Sequence, residues 1–169
     1  MKYDLFDFKD HFVKIGTKVD AKNFGFFTRS VHILLFNSEG EVMICKRSPD
    51  KKNYPNMLTS SAGGHVEQGE SYKVAAVREL KEELGVTTSL KDYGRFDVIT
   101  SRERAIHHLF IGKTYKKIHA DPREISSYSF LSIKALTHDI NFHPHKYCKP
   151  FHEAFKCLLN NSKHFKKLR

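Results

Sequence analysis

The sequence predicts one domain of the α/β class, and three observations predict it. Its 169 residues match the length of a single domain, about 100–200 residues. Apolar and aromatic residues make up 40% of the chain, enough for a real core, since a chain of this size buries roughly 70% of its unfolded surface. Short apolar runs are interleaved with segments of helical period, and Gly and Pro stand between them as punctuation. No internal repeat, low-complexity tract or linker-like stretch divides the chain.

Residues 1–28 read as an N-terminal extension packed on the main domain, 29–169. There Val31–Phe36 and Glu41–Lys46 are expected strands joined by the turn Asn37-Ser38-Glu39-Gly40, an antiparallel hairpin. Arg47 to Gly69 reads as a long irregular loop, because Pro49, Asn53, Pro55, Asn56 and the pair Gly63-Gly64 interrupt any period. A loop longer than about 15 residues inside a compact domain is usually functional. Ser71 to Leu84 is the clearest helix: Ser71 can cap its start, its interior lacks Gly and Pro, and Gly85 suits a left-handed end. At ~100° per residue, Val74, Val77, Leu80 and Leu84 share one arc while Glu79, Glu82 and Glu83 share another. This predicts a helix that packs by its Val/Leu face and turns its carboxylates outwards. Strands at Tyr93–Thr100 and Ile106–Thr114, a β-like stretch at Tyr128–Leu131 and an amphipathic helix around Pro150–Leu159 complete the reading.

Composition narrows the function classes without choosing one. The formal charge of +10 attracts anions of any kind, from phosphates to nucleic acid. The run Lys146–Arg169, with six Lys and one Arg against one Glu, reads as a solvated face ahead of a nucleic-acid or membrane surface. Cys45, Cys148 and Cys157 fit no metal-binding spacing, and their odd number points to ordinary thiols in a reducing compartment, the cytoplasm. The N-terminus has no apolar h-region. The longest apolar run, Val31–Phe36, falls far short of the ~20 residues of a membrane span. No membrane partner is expected, and the oligomeric state is left open.

The chemistry is concentrated between Gly64 and Val86. Gly64 is followed after five residues by Glu70, and after seven more by Arg78-Glu79-Leu80-Lys81-Glu82-Glu83-Leu84-Gly85-Val86. This pattern resembles the box of the Nudix family at every defined position. With seven identity-fixed positions, a chance match at a given start is on the order of 10⁻⁸. Three carboxylates at i, i+3 and i+4 repel unless a cation neutralises them. All-oxygen ligation suits Mg²⁺ or Mn²⁺, and Mg²⁺ shares itself with substrate phosphates, so a small-molecule diphosphate is the natural guest. Arg78, four residues before Glu82, can hold that carboxylate by a charge-assisted hydrogen bond.

The resemblance implies an α/β/α sandwich with a mixed sheet, and metal-dependent hydrolysis of a diphosphate linkage. It also implies Glu79, Glu82 and Glu83 as side-chain metal ligands, Gly63 as a carbonyl ligand and Glu70 as an outer candidate. A general base in the loop before a late strand is a further implication, which selects Glu124 in Asp121-Pro-Arg-Glu124, with Glu103 and then His107 or His108 behind it. The flanking segments Arg29-Ser-Val-His-Ile, Cys45-Lys-Arg-Ser, Tyr54-Pro-Asn and Ser61-Ala-Gly-Gly-His are similar to the branch of the family that contains isopentenyl-diphosphate isomerase. That enzyme uses a cysteine in the loop before the glycines and has a degraded box. Here Met57–Ala62 lacks cysteine and the box is intact, which favours a hydrolase over the isomerase and over a non-catalytic nucleotide sensor. For substrate contacts the candidates are Lys46 and Arg47, which can clamp phosphate oxygens or simply face water, His65 beside the glycines, and Tyr54, which can stack on a base or anchor Pro55.

Overall fold

The computed structural model describes residues 2–101 and 103–161. The chain opens with β1 (Tyr3–Phe6) and β2 (Phe12–Gly16), an antiparallel ribbon, followed by α1 (Lys18–Phe24). Thr17 and Asp20 form a reciprocal capping box that starts α1, and Gly25, in the left-handed region, ends it. The ribbon is tied to the rest of the molecule through Asp10, whose carboxylate accepts from Arg29 Nε at 2.7 Å and from the Tyr72 hydroxyl at 3.2 Å. None of these first elements is foreseen from sequence, because α1 has only seven residues and four of the five residues of β2 are exposed.

β3 (Thr28–Phe36) and β4 (Val42–Arg47) follow, then β5 (Leu58–Thr59), β6 (Ala62–His65) and α2 (Tyr72–Leu84). β7 (Leu90–Ile99), β8 (Arg104–Lys113) and β9 (Ile125–Leu131) complete a seven-stranded mixed sheet. α3 (Ile133–Phe142), a short 3₁₀ turn at Pro144–Lys146 and α4 (Lys149–Asn160) close the described chain. The basic run expected from Lys146 falls partly on α4, and its residues 162–169 lie outside the described residues.

β3 is the spine. It runs parallel to β8 over its full length and antiparallel to β6 from Ser30↔His65 to Ile33↔Ala62. The expected hairpin exists, but its strands part after a single pair, Phe36↔Val42. Beyond that point β6 takes the free edge of β3, while β5 and β9 take the two edges of β4. The stretch expected to be wholly irregular therefore contributes two short strands, and the split they fill opens beside the Gly63-Gly64 pair.

Alternation along β3 explains the layers. Val31, Ile33 and Leu35 face a core closed by Ala75, Ala76 and Leu80 of α2, while Leu34 and Phe36 face one closed by Phe151, Ala154 and Phe155 of α4. Both faces are covered here, so the Ile33–Phe36 part of β3 reads as a continuous apolar run.

α2 corrects one expectation. Val74 and Val77 are 55% and 41% exposed, whereas Ala75, Ala76, Leu80, Leu84 and Glu83 are buried. The packing face keeps Leu80 and Leu84 of the expected arc but turns from the valines towards the alanines and Glu83, because α2 lies close over β6, where small side chains and the carboxylates fit.

Candidate active site

Glu79 and Glu83, one turn apart, lie on the face of α2 that covers β6. Glu83 Oε2 accepts from the Gly63 amide at 3.1 Å. Glu79 presses on Gly64 so closely that a Cβ there would stand 2.1 Å from its Oε1, and a Cβ on Gly63 would stand 2.6 Å from the Val31 carbonyl. Gly63 is thus required by the neighbouring strand β3, whose backbone cannot give way, while Gly64 leaves room for the Glu79 carboxylate. Ser71 and Gly85 fix the ends of α2, which sets the rotation that points both carboxylates inward.

Arg78 braces the group. Its Nε and Nη2 donate to the two oxygens of Glu70, each at 2.9 Å, its Nη2 also reaches the His65 carbonyl at 2.9 Å, and its Nη1 reaches Glu79 at 2.9 Å and Glu82 at 3.2 Å. The expected Arg78–Glu82 contact is present, but Glu82 is the exposed rim of the cluster and Glu70 receives the bidentate fork. This fork holds the Glu70 carboxyl below its ordinary range, burial working the other way.

Glu124 reaches the same cleft from the other side. The turn that carries it hangs from the end of α2: Asp121 N donates to Glu83 O at 2.8 Å and His119 N to Leu84 O at 3.0 Å. The Glu124 carboxylate meets Lys51 Nζ at 2.5 Å, and its carbonyl accepts from Ser48 N. Asp121 and Glu67, which sequence reasoning did not single out, line the cleft with Glu79, Glu82, Glu83 and Glu124.

This donor set fits a hard divalent cation. Burial, and then the Glu79 charge, push the Glu83 carboxyl up to about 8 against the opposing Gly63 amide, and burial raises Glu79 as well. Two such groups side by side on one helix face, held against a glycine strand, call for positive charge. In the arrangement described, Arg78 engages Glu79 and Glu82, the Gly63 amide engages Glu83, and no three His, Cys, Asp or Glu side chains among the described residues already surround one point.

A second cavity, of about 210 Å³, lies across β6 and shares Gly63, Gly64 and His65 with the carboxylate cleft. Arg47 and Tyr54 line it, Arg47 Nε donating to the Asn53 carbonyl at 3.1 Å. His65 stands at the boundary, its pKa lowered to about 4 by burial and then by the Lys18 charge. Glu103 faces this second cavity and not the cleft. Lys46 is exposed on β4 and lines neither. His107 points inward and His108 outward, as strand alternation requires, His108 stacking on Tyr72. Ser30, Lys18 and Thr28 also line the cavity without any signal in the sequence, since single polar residues in a strand or short helix carry no pattern.

Comparison with known proteins decides the family. The NUDIX domain model matches residues 26–150. The chain belongs to the Nudix family. An isopentenyl-diphosphate Delta-isomerase of Serratia proteamaculans is 28% identical over 165 residues, covering 93% of this chain and 90% of that protein. A prenyl-diphosphate phosphatase of Methanosarcina mazei is 25% identical over 152 residues, covering 88% and 89%. The crystal structure of DR0079 from Deinococcus radiodurans superposes with a TM-score of 0.78 at 26% identity, over 93% of this chain and 99% of that one. The α/β/α sandwich implied by the sequence is the observed fold. This Nudix protein is an enzyme acting on diphosphate-containing substrates, in a family that typically uses divalent cations. Among the described residues, no helix is long and apolar enough to cross a membrane.

Proposed function

We propose that this Nudix protein is a Mg²⁺-dependent hydrolase that cleaves the diphosphate linkage of a nucleoside diphosphate attached to another group. The observation that carries this reading is the pair of inward carboxylates, Glu79 and Glu83, held over side-chain-free glycines with Glu124 opposite. Glu79, Glu82 and Glu83, with the Gly63 carbonyl, would hold the cation, and Glu70 contributes by fixing Arg78. When bound, the cation supplies positive charge to the diphosphate oxygens and makes water a better nucleophile. The residues of the chain do the rest. Arg78 keeps Glu79 and Glu82 aimed, Arg47 offers its guanidinium to phosphate oxygens, and Glu124 accepts the proton of the water that attacks one phosphorus in line with the departing phosphate.

The experiment is a screen of purified protein with Mg²⁺ against nucleoside triphosphates, nucleotide sugars, ADP-ribose, dinucleoside polyphosphates and isopentenyl diphosphate. Turnover of a nucleotide-linked diphosphate is expected; turnover of isopentenyl diphosphate alone contradicts the reading. On the best substrate Glu124→Gln lowers kcat by ~10²–10⁴-fold, removes the acidic limb of the pH–rate profile and leaves Mg²⁺ affinity nearly unchanged. A change under threefold excludes Glu124 as the base.

The isomerase relative favours a second reading. Cys45 is buried in the core, its thiol donating to the Ser61 carbonyl, and burial raises its pKa far above the ordinary thiol value. Cys148, however, lines the second cavity, its thiol bonded to Thr59 Oγ1 at 3.3 Å. The isomerase assay therefore belongs with Cys148→Ala: formation of dimethylallyl diphosphate that this change abolishes favours the isomerase.

A further inference from the structure

The second cavity contains polar atoms that the protein itself leaves unpaired. Among the described residues, the buried side-chain nitrogens and oxygens without a hydrogen-bond partner are Ser30 Oγ and both ring nitrogens of His107. Ser30 is 4% exposed and His107 2%, and both line this one cavity. They are neighbours by construction: in the parallel β3–β8 pairing Ser30 stands opposite His107, so their side chains leave the sheet side by side on the same face. A buried donor or acceptor left unpaired is costly, and native structures seldom tolerate it without a purpose.

The surroundings explain why the protein does not satisfy them. Phe96, opposite His107 on β7, stacks on its ring at 4.9 Å and 14°, and supplies no hydrogen bond. His32, whose ring lies 5.2 Å from that of His107, already has its Nδ1 committed to Ser60 Oγ. Glu103 Oε1 comes within 3.5 Å of His107 Nε2, an ion-pair separation without hydrogen-bond geometry. The result is an aromatic shelf with three polar atoms that no protein group hydrogen-bonds, one of them, His107 Nε2, within ion-pair distance of Glu103, next to the Gly63-Gly64 strand that borders the carboxylate cleft.

We propose that this cavity reads the group attached to the diphosphate, and that Ser30 and His107 select a compact polar group bearing both a donor and an acceptor over an apolar prenyl chain. The inference rests on the diphosphate reading and adds to it the residues that recognise the attached group. A hydrocarbon chain would fill the space and leave all three atoms unpaired. A sugar hydroxyl or the edge of a heteroaromatic base would pair them, and sites built to hydrogen-bond a substrate group discriminate strongly against analogues that lack it.

Isothermal titration of the full chain at saturating Mg²⁺ tests this with four probes. Methylenediphosphonate occupies the phosphate site alone, α,β-methylene-ADP adds a ribose and a base, the methylene analogue of phosphoribosyl diphosphate adds a sugar without a base, and the methylene analogue of dimethylallyl diphosphate adds a prenyl chain. One of the two polar probes binds at least tenfold more tightly than methylenediphosphonate, which also tells base from sugar, and the prenyl probe shows no such gain. Ser30→Ala and His107→Phe each remove at least fivefold of the gain while leaving methylenediphosphonate binding unchanged. Phe keeps the stack on Phe96, and Ser30→Ala deletes an unpaired polar atom, so the midpoint of Ser30→Ala stays level or rises. A prenyl probe that binds as tightly as the polar ones, variants that keep the wild-type discrimination, or a fall in the midpoint of Ser30→Ala overturns the assignment. Failure of methylenediphosphonate itself to bind overturns the diphosphate reading on which it rests.

Discussion

A methyl group on Gly64 would lie 2.1 Å from Glu79 Oε1, inside any van der Waals contact. The atom it meets is the end of a side chain, so the carboxylate can swing away and the fold can survive. Gly64→Ala is accordingly expected to weaken Mg²⁺ binding and to lower kcat at least tenfold, with a thermal midpoint within a few degrees of wild type; unchanged turnover would show that Glu79 is not needed where it stands. At this scale the sequence carries most of the site. The spacing from Gly64 to Val86 names Arg78, Glu79 and Glu83, and the structure brings them together with Glu124. What spacing does not carry is the choice among Arg78's acceptors. Helical periodicity offers Glu82 at i+4, yet the bidentate partner is Glu70, which precedes the helix and meets Arg78 through a turn. The unpaired Ser30 and His107 are likewise invisible in sequence, because they are brought together by the register of two strands more than 70 residues apart.

The elements themselves were legible in proportion to their length and period. α2 keeps both of its expected ends, while its packing face is displaced because apolar size is a poor guide where the opposing strand is glycine. Val77→Lys is therefore expected to change the unfolding free energy by no more than about 0.5 kcal/mol. Ala76→Leu, overfilling the contact with the sheet, costs about 1–3 kcal/mol. Urea denaturation measures both, and equal effects would restore the Val/Leu face. At the junction of α3 and the 3₁₀ turn, the Tyr147 hydroxyl donates to Asp139 Oδ2 at 2.6 Å. That bond, opposed by burial and aided by His143, holds the Asp139 carboxyl below its ordinary value. A carboxyl with a lowered folded pKa contributes stability above its unfolded pKa, near 3.8, and loses it as pH falls through the folded one. Wild type should therefore lose more stability between pH 4.5 and 2.5 than Tyr147→Phe does. Parallel pH profiles in the two proteins would remove Asp139 from the account.

At the scale of the molecule, a chain with a formal charge of +10 places a cluster of carboxylates in one cleft. The general charge favours anions near the molecule, and in the proposed reading a cation offsets the acidic cleft for them. The divergence of β3 from β4 makes room for β6, and β6 forms the wall between the carboxylate cleft and the second cavity, so one strand borders both of the proposed subsites. Glu83 is a buried carboxyl whose pKa is raised by burial and by the Glu79 charge, and it lies against the Gly63 amide at the centre of the cleft wall. The decisive measurement is kcat for Mg²⁺-dependent diphosphate hydrolysis by Glu83→Gln, read beside the thermal midpoint of the metal-free protein. A loss of at least 10²-fold in kcat is expected, with a midpoint equal to or above wild type, because a neutral isostere removes the charge proposed to hold the cation together with the cost of burying it. Turnover within threefold of wild type at saturating Mg²⁺ would contradict it.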